Sequence, residues 1–546
     1  MNPGGPAKSG VDMIFTAAQG VSGIIGGQYD LVSWDPRGVG LTTPSITCFS
    51  SIAEANGLVA NNSILSNGGA EAYGNFTNPA GDDPDELAAL AQEAITDTHL
   101  EGVAAACLKM HGNNLSYVGT AAAVRDMIAL SDAIEGPGKK VNYWGFRWDY
   151  RLWTLYGYML TSVHSYGTVI GSFFINMFPD RVGRVIIDGV VDPIHWTVPP
   201  YLNLYPDQLT DAHLAFDEFT SSCAAAGPLC AIAGANATQS SVATFVQKMM
   251  DTAFLAYQAN PSPSAISSAL VRLTVLQGLY IPAAWRSFSS ELREIALSLN
   301  ISEAFALSKP ADLSPSPPTT IRKRARSSSS DNESLNAFAA SVTLFAIVCG
   351  DSPDAGNVTT KNVFDALLAS TSISQMWGPV WQANYICHKW PKRAVERYTG
   401  PWNASLSEKV LVIANQGDPV TAKAGAELVA SMLGNSSAFL LRDGYGHTST
   451  GEPSTCTSEV VSQYFVNGTT PALGTVCSTD RNYFGSSTIS NDSSSSSMIP
   501  TSIIYSATTN VGFATMAPAT TSTSGAMRLR TSGAYLLGLA LVAGSL

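Results

Sequence analysis

The chain has 546 residues, 45% of them hydrophobic, and a formal net charge of −12 with a pI near 5.0. That length exceeds one ordinary domain and supplies ample material for a large core. The acidic balance excludes a nucleic-acid binder, which would need a basic face.

In chain order, YDLVSWD (29–35) is a short apolar run of strand type, followed by the turn-rich PRGVG. Residues 84–110 and 118–135 read as helices, the second keeping apolar residues three and four apart and stopping at Gly136-Pro137-Gly138. Strand VNYWGF (141–146), helix GTVIGSFFINMF (167–178) and strand GRVIIDGVV (183–191) follow. Helices alternating with apolar strands predict a mostly parallel sheet covered on both faces, an α/β architecture. The texture changes over 195–345, which reads as a helical cap inserted into the core. It carries an exposed loop near 308–334 with the basic run Arg322-Lys323-Arg324-Ala325-Arg326, read as a solvated loop or a dibasic processing site. The core resumes over 346–480, with strands KVLVIANQ (409–416) and SAFLLRD (437–443) and a last helix CTSEVVSQYF (456–465). Residues 481–525 form a Ser/Thr-rich stalk without apolar periodicity. The tail 526–546 ends in AYLLGLALVAGSL, too short for a typical spanning helix. Small residues at Ser522-Thr523-Ser524 before a polar spacer and that tail match a GPI-attachment signal.

Eight cysteines (Cys48, Cys107, Cys223, Cys230, Cys349, Cys387, Cys456 and Cys477) form no zinc-type CxxC pair and suggest disulfides. Asn61, Asn75, Asn114, Asn236, Asn300, Asn332, Asn357, Asn403, Asn435, Asn467 and Asn491 each begin an N-x-Ser/Thr sequon. The two features together predict a secreted or cell-surface glycoprotein. MNPGGPAKSG at residues 1–10 is no export signal, so the signal peptide is expected upstream of Met1.

The chemistry expected on such a fold is acyl transfer by a nucleophile on a strand-to-helix turn, a histidine base and an orienting carboxylate. Asp418 follows strand KVLVIANQ in the loop GDPVT, and His447 follows strand SAFLLRD in the loop GYGHTS. Both lie where strand ends feed loops, in the order acid then histidine. The nucleophile elbow G-x-S-x-G is interrupted: Val163-His164-Ser165-Tyr166-Gly167 lacks its first glycine. Omitting Arg147–His164 joins Gly145-Phe146 to Ser165-Tyr166-Gly167 and completes it as GFSYG. The omitted stretch, RWDYRLWTLYGYMLTSVH, is an aberrant aromatic insert. Codons available for Arg147-Trp148, Leu160-Thr161 and His164-Ser165 accommodate a splice donor, branch point and acceptor, so it reads as a retained intron. The rival reading is a genuine insertion in a divergent or inactive relative.

Asn2-Pro3-Gly4-Gly5-Pro6, Ser33-Trp34-Asp35-Pro36-Arg37-Gly38, the interrupted WGF…SYGT, Asp188-Gly189-Val190-Val191-Asp192-Pro193 and DGYGHTS (443–449) occur in that order. Over roughly residues 1–480 this resembles the tripeptidyl-aminopeptidase-like branch of the α/β-hydrolase serine peptidases, relatives of the prolyl aminopeptidases. The resemblance implies an α/β-hydrolase fold with Ser165 as nucleophile, His447 as general base and Asp418 as orienting acid. It also implies oxyanion donors from Gly4 and Gly5, with the N–H of Tyr166 as the second element of that hole. Disulfides such as Cys223–Cys230 and Cys456–Cys477 follow from the same likeness. In that family the NPGGP loop follows early strands, so those strands are expected to be missing here, leaving an exposed sheet edge.

The expected function is a serine exopeptidase releasing short peptides or residues from free N-termini, with no cofactor and no metal. Its partners are short peptides or small amide and ester substrates, with GPI attachment to a membrane. Asp351, in CGD, is the candidate anchor for the substrate amine. The alternatives are an esterase on the same fold and an inactive surface glycoprotein.

Overall fold

A computed structural model describes residues 1–59, 62–73, 84–146, 165–199, 201–262, 265–301, 328–485, 527–531 and 534–538. The insert 147–164, the basic run 322–326, residues 486–525 of the stalk and 526, 532–533 and 539–546 of the tail lie outside the described residues. Strands are β1 (Leu31–Ser33), β2 (Val141–Gly145), β3 (Val182–Asp188), β4 (Val410–Gly417), β5 (Ser437–Tyr445), β6 (Val476–Ser478), β7 (Met527–Thr531) and β8 (Ala534–Gly538).

Strands β2-β3-β4-β5-β6 pair in that order, every pair parallel. Their alternation explains why both faces are covered, because successive strand residues point to opposite sides. Tyr143, Val185, Ile187, Val410 and Val412 enter one apolar cluster with Val169 and Phe173 of the helix Tyr166–Met177. Trp144, Ile186, Leu411 and Ile413 enter another with Met13, Ile14 and Val21 of the helix Gly10–Ile24 and with Val461 and Phe465 of the helix Thr455–Asn467. Each fully buried aliphatic side chain of this kind contributes roughly 1.5–3 kcal/mol. The fold is that of an α/β-hydrolase.

The expected exposed edge is not seen at β1, because β8 runs parallel along it and pairs antiparallel with β7. Between β1 and β2, Met1 and Asn2 carry the contact: the Met1 amine donates to Val32 O at 2.8 Å and Asn2 N–H to Trp144 O at 3.4 Å. Burial there pushes the Met1 amine down to about 5.

A separate apolar cluster is built from residues 205–301, centred on Phe219, Met249, Leu276, Trp285 and Phe288. It falls within the stretch expected to form a helical cap and includes Val420, Trp377 and Val380 from later in the chain. Its long helix Gln239–Ala259 begins at a capping box made by Thr238 and Ser241. The helix Ser328–Asp351 runs across the expected cap boundary at 345 and packs Val342, Phe345 and Cys349 into the sheet's own cluster.

Disulfides join Cys48–Cys107, Cys223–Cys230, Cys349–Cys387 and Cys456–Cys477. The second and fourth are the pairs the family likeness implied. Four disulfides and no free cysteine suit an oxidising, extracellular or cell-surface setting. No helix among the described residues is long and apolar enough to cross a membrane.

Candidate active site

Ser165 sits immediately before the helix Tyr166–Met177, at the carboxyl end of β2. Phe146, which ends the β2 segment, and Gly167 meet although eighteen residues separate Phe146 from Ser165 in sequence. A Cβ added at Gly167 would lie 2.7 Å from Phe146 O, and one at Gly145 would lie 2.2 Å from Gly167 O. Only hydrogen fits at either position. The flanks of the insert therefore close around Ser165 as a tight strand-to-helix turn, the shape a nucleophile elbow requires, with Tyr143 Oη donating to Gly167 O at 2.7 Å to hold it.

Asp418 follows β4 and His447 follows β5, and the parallel pairing of those strands brings both loops to Ser165. Ser165 Oγ lies 2.5 Å from His447 Nε2. His447 Nδ1 lies 2.8 and 3.0 Å from the two Asp418 oxygens. Because an ionised carboxylate can only accept, Nδ1 carries the proton and Nε2 is free to accept from the serine. Asp418 is held in turn by the N–H groups of Val420 and Thr421 at 3.0 and 2.9 Å. All three residues are buried. Gly189, at φ +70°, lines the triad: a Cβ there would fall 3.1 Å from His447 Cε1 and 3.3 Å from Ser165 Oγ.

The oxyanion side differs in part from expectation. The first helical residue, Tyr166, has an N–H with no partner inside its helix, which is the position for a donor. The NPGGP loop lies against it, since a Cβ on Gly4 would be 3.1 Å from Tyr166 N. Gly4, however, donates its own N–H to Asn2 Oδ1 at 2.9 Å, and so is spent within the loop. Gly5 remains the loop's candidate donor beside Tyr166.

Asp351, the expected anchor for a substrate amine, is buried with its oxygens already engaged within the protein. It closes the helix Ser328–Asp351, is 1% exposed, and accepts from Thr120 N at 2.8 Å, from Trp196 Nε1 at 3.0 Å and from Thr120 Oγ1. Tyr166 Oη lies 2.9 Å from Thr120 Oγ1, so this carboxyl supports the elbow from beneath. Burial pushes it up to about 6.

Sequence reasoning assigned no role to Asp188, Asn415 or Arg442, which all hold the loop carrying His447. Arg442 gave a signal: it falls at an inward position of β5, two residues after the buried Leu440. Among the described residues one group has metal-ligand spacing, Asp192, His195 and Asp207. It lies outside the triad, and Asp192 already caps the helix Pro193–Thr197.

Residues 374–477, which include the acid and the histidine, match the model of the family described as TAP-like protein. This is a serine hydrolase of the α/β-hydrolase fold. The hydrolase is 27% identical over 506 residues to serine protease Hip1 of Mycobacterium tuberculosis, covering 87% of this chain and 80% of that protein. It is 24% identical to carboxylesterase B of the same species, covering 87% and 79% respectively. It is also 23% identical to the tripeptidyl aminopeptidase of Streptomyces coelicolor, covering 87% and 75%.

Proposed function

We propose that this hydrolase is a serine exopeptidase that releases short peptides from free N-termini through an acyl-enzyme. The observation that carries the reading is the unbroken chain Ser165 Oγ–His447 Nε2 and His447 Nδ1–Asp418, buried together at the strand ends. His447 takes the Ser165 proton as the serine oxygen attacks the substrate carbonyl. The N–H groups of Tyr166 and Gly5 receive the developing oxyanion. His447 then gives its proton to the departing amine, and water attacks the acyl-serine by the same route in reverse. The cap, in contact with the histidine loop through the Tyr280 O···His447 N bond of 2.8 Å, limits substrates to small ones.

The likeness to a tripeptidyl aminopeptidase and to a serine protease supports peptide substrates, while the likeness to a carboxylesterase supports the ester reading. Comparing tripeptidyl-amides, aminoacyl-amides and short-chain esters separates the two. The peptidase reading expects the tripeptidyl-amide to be the best substrate; turnover of esters alone would sink it.

The same reading makes the protein a secreted, GPI-attached glycoprotein, in which attachment near Ser522–Ser524 would remove β7 and β8 with the tail and uncover β1. Asn114, Asn236, Asn300, Asn357, Asn403, Asn435 and Asn467, the sequon residues with described side chains, are all exposed. Asn2, Asn62, Asn67, Asn384 and Asn415, which begin no sequon, are buried. A glycan needs an acceptor in water, so the exposure of every described sequon asparagine supports modification. Amidase digestion of the native secreted protein is expected to lower its mass and to convert these asparagines to aspartate. An unchanged mass would count against secretion through a glycosylating pathway.

A further inference from the structure

We infer that Arg442 and Asn415 form a positioning device that aims the catalytic histidine. The inference rests on His447 being the general base. Its starting point is the backbone on either side of that residue. Gly446 has φ +80° and Thr448 has φ +62°. Glycine adopts such a conformation freely, but a β-branched threonine there is an outlier that persists only when its surroundings over-determine it.

Asn415, on β4, supplies most of that determination. Its Nδ2 donates to Gly446 O at 2.7 Å and to Thr448 O at 2.9 Å, gripping the carbonyls on both sides of His447. Its Oδ1 accepts from Arg442 Nη1 at 2.6 Å. A guanidinium can only donate, so Arg442 fixes which end of the Asn415 amide faces the loop. Arg442 also donates from Nη1 to Thr448 O at 3.3 Å, from Nη2 to Glu452 O, and from Nε to Thr457 Oγ1 at 3.0 Å. This fully buried fork thereby ties β4, the histidine loop and the helix Thr455–Asn467 to one point. Asp188, at the end of β3, anchors the next residue by accepting from Ser449 N at 2.9 Å and from Ser449 Oγ at 2.5 Å. The loop is held from two neighbouring strands, and the imidazole projects from between its two left-handed residues.

Asn415→Asp is the discriminating variant. It keeps the size of the side chain and strengthens the pairing with Arg442, but it replaces the two donated hydrogen bonds by repulsion from the loop carbonyls. Turnover per fluorophosphonate-titrated serine should fall about 10- to 100-fold, the range expected when a catalytic group is displaced by about 1 Å. KM should stay within about twofold, because the base contributes to the transition state and not to ground-state binding. The low-field imidazole proton resonance of the His447–Asp418 pair should shift or vanish. Adding Thr448→Gly, which lets the loop adopt its conformation without strain, should recover part of the turnover. Parental turnover per titrated serine and an unmoved resonance in Asn415→Asp would overturn the proposal. If that variant does not fold, Arg442→Lys carries the same test, since a point charge cannot replace the fork; parental turnover in it would be equally fatal. A parent protein that shows the resonance while cleaving no peptide contradicts only the peptidase reading, so the two failures are distinguishable.

Discussion

Replacing Asp418 by asparagine is expected to lower kcat about 10⁴-fold while leaving the fold and KM nearly unchanged. Asp418 Oδ1 and Oδ2 face His447 Nδ1 at 3.0 and 2.8 Å, and Oδ1 also accepts from two backbone N–H groups. An asparagine can keep its oxygen on the backbone donors, so the loop survives. Its NH₂ group then faces Nδ1 and favours the tautomer with the proton on Nε2. That nitrogen lies 2.5 Å from Ser165 Oγ and could no longer accept the serine proton. Steady-state kinetics with active-site titration, beside a thermal melt, would measure the effect. A fall of less than about tenfold in a folded variant would mean that Asp418 is not the orienting acid.

The second large effect is expected from deleting residues 147–164 so that Phe146 is followed directly by Ser165. Around Ser165 the described structure already has the contacts of an uninterrupted elbow. Phe146 O and Gly167 touch, Gly145 lies against Gly167 O, and Tyr166 N sits beside the NPGGP loop. The deletion should therefore fold and retain the triad. Strand β2 then connects to the serine without a detour, and oxyanion donor and nucleophile are held by one rigid turn. Ser165 Oγ already lies 2.5 Å from His447 Nε2, so the gain comes from holding that geometry and not from moving it, and a rise of up to about 100-fold in kcat over the full chain is expected. A deleted protein that folds but turns over no faster would show that the segment is a tolerated part of the enzyme. The transcript tests the origin of the segment separately, by whether codons 147–164 persist in the mature message.

The sheet was legible because its strands are apolar runs of unmistakable length. VNYWGF, KVLVIANQ and SAFLLRD each appear within two residues of the expected limits. The meeting of Asp418 and His447 was legible for the same reason: a polar residue just after a buried strand has few places to be except the sheet's carboxyl edge. Ser165 needed a stronger step, the omission of an interrupting segment, and the contact between Phe146 and Gly167 is its structural counterpart. What stayed hidden depended on long-range partners. Asp351 read as an available carboxylate in CGD, but Thr120 and Trp196, 231 and 155 residues away in sequence, close over it. Gly4 read as a donor, because nothing in NPGGP tells that the Asn2 side chain turns back to take its N–H. The helix Ser328–Asp351 runs through the expected boundary at 345 and packs into the sheet's cluster, a continuity no composition shift marks. Arg442 was passed over because a lone arginine on a strand is usually solvated, and only the β5 alternation marks it as inward.

Mapping the site of fluorophosphonate attachment decides whether Ser165 is the nucleophile. The reagent would be applied to the full chain and to the 147–164 deletion, with Ser165→Ala as the control, followed by digestion and mass analysis of the labelled peptide. Label is expected on Ser165, faster in the deletion and absent from the control. Label on a different serine, or none on either folded form, would contradict that role.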